Sequence, residues 1–180
     1  HKVQTTRSLV RGIAIFKTSQ VIFVDTPGIF RPKRRLDRAM VETAWGGARD
    51  ADLVAVLIDA ARGLSEDAQA LLGKLGEVRQ PKILLLNKID TVKPEQLLAL
   101  TAEANNLATF VQTFMISALT GDGLDDLSQY LGEAVPPGPF LYPEDDVSDV
   151  PLRQLAAEIT RENIFRRLHQ ELPYASTVET

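Results

Sequence analysis

Cysteine is absent from the 180 residues, which excludes disulfides, thiolate metal sites and cysteine nucleophiles and fits a reducing, cytoplasmic setting. Histidine occurs only at His1 and His169, too far apart in sequence to suggest a shared metal or a triad. A large excess of charge of either sign is missing too, with 20 Lys and Arg against 24 Asp and Glu. At a net charge of −4, the chain lacks the strongly basic character that a nonspecific nucleic-acid binder needs. No apolar run reaches the length of a membrane span, and no secretory signal opens the sequence. Internal repeats and low-complexity tracts are missing as well. What is present, 44% hydrophobic and 24% charged residues, suits a globular domain of ordinary size with room for part of a second.

The chain is organised around Ile83-Leu84-Leu85-Leu86-Asn87-Lys88-Ile89-Asp90. Four apolar residues without alternation predict a strand buried on both faces, as in a parallel sheet. Strands are also predicted over 9–16 and 20–25, joined as a hairpin by Lys17-Thr18-Ser19, and over 53–58 and 114–116. Helices are predicted over 34–48, from Ser65 to about Val78, from Pro94 to about Leu107, over 123–132 and over 151–172. Val135-Pro136-Pro137-Gly138-Pro139 cannot continue a helix and marks a boundary. The alternation predicts an α/β fold.

Three polar motifs follow apolar strands: Asp25-Thr26-Pro27-Gly28, Asn87-Lys88-Ile89-Asp90 and Ser117-Ala118-Leu119. In an open parallel sheet ligands bind beyond the carboxyl ends of the strands, so the three are expected along one edge of one sheet. The Asp90 carboxylate can accept two hydrogen bonds from the N1–H and exocyclic amine of guanine, a donor pattern that adenine lacks. Asn87 would tether neighbouring loops, the aliphatic stem of Lys88 would lie along the ring, and Ala118 would offer its N–H to the base carbonyl. Asp25 suits a Mg2+ ion that keeps its waters and shares phosphate oxygens. Gly28 would bring a backbone N–H close to a terminal phosphate. Thr5 or Thr6, with Thr6 favoured, would complete the magnesium shell when triphosphate is bound. In isolation each motif also has a plain reading: Asp25 as a turn cap, the threonines as ordinary loop residues.

With Gln4-Thr5-Thr6-Arg7, these motifs resemble the switch and base-recognition motifs of the Era family of GTPases, and the resemblance covers essentially the whole chain, including Glu171-Leu172-Pro173-Tyr174-Ala175-Ser176-Thr177-Val178-Glu179 near the end. It implies a P-loop NTPase-like, mostly parallel sheet flanked by helices and truncated at its N-terminus, followed by the start of an α+β KH-like domain. A partial GTPase domain would cover 1–135, a linker 136–150, and the beginning of a KH RNA-binding domain 151–180. The implied ligands are GTP and GDP, with Mg2+ at Thr6 and Asp25, directly or through water, and K+ in the intact protein. Asp25, Thr26, Pro27, Gly28, Asn87, Lys88, Asp90, Ser117, Ala118 and Leu119 would contact the nucleotide; Gln4, Thr5, Thr6 and Arg7 would form a switch loop. The implied role is a GTP-hydrolysing switch in small ribosomal subunit assembly and rRNA maturation. Its partners would be small-subunit rRNA and the 30S subunit, in the cytoplasm, with peripheral association at the inner membrane open to the intact protein.

Two departures qualify that likeness. The phosphate loop G-x-x-x-x-G-K-[ST] is nowhere in the sequence, and the chain stops before the RNA-clamping loop of a KH domain. The expectation is an internal fragment of a longer protein that neither binds GTP tightly nor turns it over by itself. Ile29 and Phe30 follow Gly28 where many GTPases carry a water-orienting glutamine, so no catalytic residue is assigned and hydrolysis would depend on a cation or partner. The competing reading is a nucleotide-free scaffold or partner-binding α/β module.

Overall fold

Ile83, Leu84, Leu85 and Leu86 are all buried, and the strand that carries them is the middle of a parallel sheet. The computed structural model describes residues 10–26 and 35–148. In chain order the elements are β1 (Val10–Phe16), β2 (Ser19–Asp25), α1 (Arg35–Asp50), β3 (Val54–Asp59), α2 (Glu66–Lys74), β4 (Lys82–Asn87), α3 (Pro94–Leu107), β5 (Gln112–Ile116) and α4 (Leu124–Ala134). The helix expected over 151–172 lies outside the described residues, as does the rest of the expected KH-like part.

Because side chains alternate across a strand, the run in β4 needs cover on both sides. Leu84 and Leu86 join Val56, Ile58, Leu72, Leu75, Leu97, Leu100 and Ala104 in one core, with Trp45 of α1 packed against it. Ile83 and Leu85 join Phe114, Ile116, Leu127, Leu131 and Val21 in the other. The sheet is thus a layer between α2 and α3 on one face and α4 on the other. The latter also packs on the β1–β2 hairpin. On the α4 face the neighbour of Leu85 in β3 is Leu57, which remains 59% exposed, so the cover stops short of β3.

Local chemistry sets the ends of several elements. Ser65 caps α2, its hydroxyl accepting from the Ala68 N–H at 3.3 Å. Pro94 opens α3 at a position where a missing N–H costs nothing. The helix expected through Val78 ends instead at Lys74, followed by a 3-10 turn over Leu75–Glu77. Glycines at 73 and 76 weaken helix propagation there. In the hairpin, Ser19 belongs to β2 and only Lys17 and Thr18 form the turn, with Lys17 in the left-handed region at φ 56°.

The strands form two sheets among the described residues, which corrects the expectation of a single one. β1 and β2 pair antiparallel, β3, β4 and β5 pair parallel, and β2 has no ladder to β3. Apolar sequence predicts a strand but not its neighbour, so adjacency could not be read from composition. The hairpin is held to the other sheet by α4 instead. Ser19 Oγ donates to the Gly132 carbonyl at 2.6 Å, and a Cβ on Gly132 would come within 3.1 Å of Phe16 Cβ.

After α4 the chain turns back over the hairpin. One side chain, Gln20, holds it there: its Oε1 accepts from the Leu141 and Tyr142 N–H groups at 2.9 and 3.1 Å, and its Nε2 donates to the Tyr142 carbonyl at 2.8 Å. Further along, the Ile13 N–H donates to the Val147 carbonyl at 2.9 Å, Ser148 Oγ donates to the Arg11 carbonyl at 2.8 Å, and Gly12 bridges Ser148 antiparallel.

Candidate nucleotide-base site

The three parallel strands end in register, β3 and β4 on polar residues and β5 one residue before one. Asp59 at the end of β3 lies opposite Asn87 at the end of β4, which lies opposite Ile116, one residue before Ser117. Once the apolar runs stop, all three loops leave the same rim, as expected for a ligand site of an open parallel sheet.

Asn87 joins two of these loops. Its Oδ1 accepts the Lys88 N–H at 2.8 Å and the Ala118 N–H at 3.0 Å. The tether expected of Asn87 is therefore made, but it uses the N–H that the sequence reading reserved for the base carbonyl. A ligand carbonyl must share that donor or displace the Asn87 oxygen. Lys88 sits in the left-handed region at φ 70°, uncommon for a long side chain. Its carbonyl accepts from the Thr91 N–H at 3.0 Å and from Thr91 Oγ1 at 2.8 Å, which fixes the turn that presents Asp90.

Ser117 is fully buried and serves the acid directly: its Oγ donates to Asp90 Oδ1 at 2.5 Å and accepts from the Thr120 N–H at 3.2 Å. An ionised carboxylate has about four acceptor positions, so this bond orients Asp90 while leaving its other oxygen for two convergent donors. The loop around Ser117 is closed by its own backbone, with Ser117 N–H on the Asp122 carbonyl at 2.9 Å and Gly121 N–H on the Ser117 carbonyl at 2.8 Å. It turns into α4 through Gly123, at φ 74° and so close to β5 that a Cβ would fall 2.3 Å from the Met115 carbonyl oxygen. Leu119 is 87% exposed: within its motif it contributes backbone rather than a packed side chain.

The strand expected over 53–58 extends to Asp59, a residue given no role in the sequence analysis, which joins the candidate site. Its Oδ2 lies 2.6 Å from Lys88 Nζ, its Oδ1 accepts the Ala61 N–H at 3.1 Å, and Arg62 Nε is 3.5 Å from Oδ2. The hydrogen bond from Lys88 holds the Asp59 carboxyl below its ordinary pKa, outweighing partial burial, with Ala61 and Arg62 assisting. The signal was available: Val54–Asp59, like Lys82–Asn87, is an apolar run ending on a polar residue.

The phosphate side is less fully described. Asp25 ends β2 and is exposed, and Thr26 follows it. Pro27, Gly28, Gln4, Thr5, Thr6 and Arg7 lie outside the described residues. No group of three or more His, Asp or Glu converges as a metal cage among the described residues; a single carboxylate at Asp25 matches the donor set of a Mg2+ ion that takes its other ligands from water and phosphate.

Residues 2–137 match the family model for the Elongation factor Tu GTP binding domain. The GTPase Era of Rhizobium meliloti is 64% identical over all 180 residues, and that of Brucella suis 65% identical. In both comparisons the chain spans 58% of the relative's length. Among solved structures, Era in complex with MgGDPNP and a segment of 16S ribosomal RNA superposes with a TM-score of 0.88 at 36% identity, covering 96% of this chain and 59% of the other. Aquifex aeolicus Era bound to GDP and AlF4 gives a TM-score of 0.85 at 36% identity over the same shares.

Proposed function

The chain belongs to the Era family of GTPases, and from that premise we propose that Asn87, Lys88, Asp90, Ser117, Ala118 and Leu119 form the guanine-recognition half of a GTP-hydrolysing switch. One observation carries the reading: Asn87–Ala118 and Ser117–Asp90 hydrogen bonds join the ends of β4 and β5 into a single rim, and in this proposal the Asp90 carboxylate held there receives the N1–H and amine of guanine. A scaffold would not need a fully buried serine spent on orienting an exposed acid.

Asp25, Thr26, Pro27 and Gly28 form the phosphate-side motif in this proposal, Asp25 and Thr6 serve Mg2+, directly or through water, and Gln4, Thr5, Thr6 and Arg7 are the switch loop. Bound Mg2+ would neutralise phosphate charge. Hydrolysis draws on charge from a K+ ion or a partner, since Ile29 and Phe30 cannot orient water. The domain proposal places the GTPase part over 1–135, the linker over 136–150 and the start of a KH domain from 151. That an Era structure carries 16S rRNA supports small-subunit rRNA and the 30S subunit as partners, and assembly of that subunit and rRNA maturation in the cytoplasm as the role. Among the described residues no helix is long and apolar enough to cross a membrane; peripheral association at the inner membrane is part of the proposal for the intact protein.

Asp90→Asn in the full-length protein tests the base assignment. A carboxamide turns one acceptor into a donor, so preference should move from guanine towards xanthine nucleotides. Competition binding with GDP and XDP that shows no change would refute it.

A further inference from the structure

We propose that Asp59 is a positioning residue for the nucleotide base, acting by holding the Lys88 side chain extended as a shelf for the purine ring; this rests on the guanine-site reading above. Lys88 is anchored at both ends. At its root, the left-handed backbone is fixed by Asn87 Oδ1 on its N–H at 2.8 Å and by Thr91 on its carbonyl. At its tip, Nζ meets Asp59 Oδ2 at 2.6 Å. The Lys88 side chain as a whole keeps 52% of its surface open to solvent. An exposed lysine normally keeps its rotamer freedom and contributes little. Here the freedom is already spent, leaving a fixed apolar strip beside Asp90.

Asp59 is itself held for this task. Its Oδ1 is occupied by Ala61 N–H, which turns Oδ2 towards the lysine, and the pairing of β3 with β4 places its Cα opposite Asn87. The Ala60 N–H on the Asn87 carbonyl at 2.9 Å ties the same two loops through the backbone. The ordering cost of the lysine is thus met before the ligand arrives, which tightens binding, and among variants of one site such differences fall mostly in the release rate.

The test uses the full-length protein with fluorescently labelled GDP and stopped-flow release by excess unlabelled GDP. Asp59→Asn keeps the acceptor for Ala61 while removing the charge that holds Lys88. Release should accelerate on the order of fivefold, the size of a partly exposed ion pair, and Asp59→Ala should do at least as much. In a Lys88→Met background, the Asp59→Asn effect should vanish. An effect of the same size in that background would assign Asp59 to turn structure alone and overturn the proposal. So would release from Asp59→Asn at the wild-type rate. Wild-type protein that does not distinguish GDP from ADP would overturn the guanine reading itself, and is separately visible. Should Asp59→Ala fail to fold, the Asp59→Asn and Lys88→Met pair still decides.

Discussion

Removing the Ser117 hydroxyl should weaken guanine nucleotide binding far more than it destabilises the fold. Ser117→Ala deletes the 2.5 Å donor to Asp90 Oδ1 and the 3.2 Å acceptor of the Thr120 N–H. The first is a hydrogen bond to a charged acceptor, worth about 1.5–3 kcal/mol. Thr120 is exposed, so water can satisfy its N–H and the second loss stays below about 1 kcal/mol. The free carboxylate is exposed as well, so water also compensates much of the first loss until a ligand excludes it. Binding of GDP to the full-length protein should therefore fall by about 2 kcal/mol, roughly thirtyfold, with much of the loss in enthalpy. Stability should fall by about 1 kcal/mol, a shift of roughly 2–4 °C in melting temperature for a domain this size. Isothermal titration calorimetry and a thermal melt measure the two. Unchanged GDP affinity would refute the claim that Ser117 orients Asp90; a large melting shift with intact affinity would show that the hydroxyl serves packing.

Two other predictions concern the same rim. Gly123→Ala adds a methyl group 2.3 Å from the Met115 carbonyl oxygen at a left-handed backbone position, so it should cost at least about 3 kcal/mol; denaturation of the 180-residue chain with an unchanged midpoint would contradict that placement. Asp59 is held below its ordinary value of 3.8, first by the Lys88 hydrogen bond. A group depressed in the folded state stabilises above the unfolded value, and this contribution disappears as pH falls through the lowered one. The melting-temperature gap between wild type and Asp59→Asn should accordingly be full above pH 3.8 and close below it, and a gap independent of pH would remove the ion pair from the account.

Most of the fold was written into local pattern. Ile83–Leu86 could only be a doubly covered strand, Pro94 marked the first turn of α3, and Ser65 marked the start of α2. What escaped depended on contacts between distant parts of the chain. The hairpin's separation from the parallel sheet is a matter of adjacency, and Gln20 meets Leu141 and Tyr142 across more than a hundred residues. Within the candidate site, Asn87, Lys88 and Asp90 stood out in the sequence because polar residues follow an apolar run at close spacing, and the structure puts them at and just past the end of β4. Asp59 became visible only when the register of β3 on β4 brought it opposite Asn87. Ala118 was assigned an outward N–H, and the competing acceptor is Asn87, 31 positions earlier.

The segment from Val135 to Ser148 could reach roughly 45 Å if it were a free extended chain. Gln20, Ile13 and Arg11 fasten it along the hairpin instead. Whatever follows Ser148 therefore sets out from the flank of β1, not from the end of a slack leash at α4. A tilt of β1 and β2 would carry Val147 and Ser148 with it, because their bonds run to β1 rather than to α4.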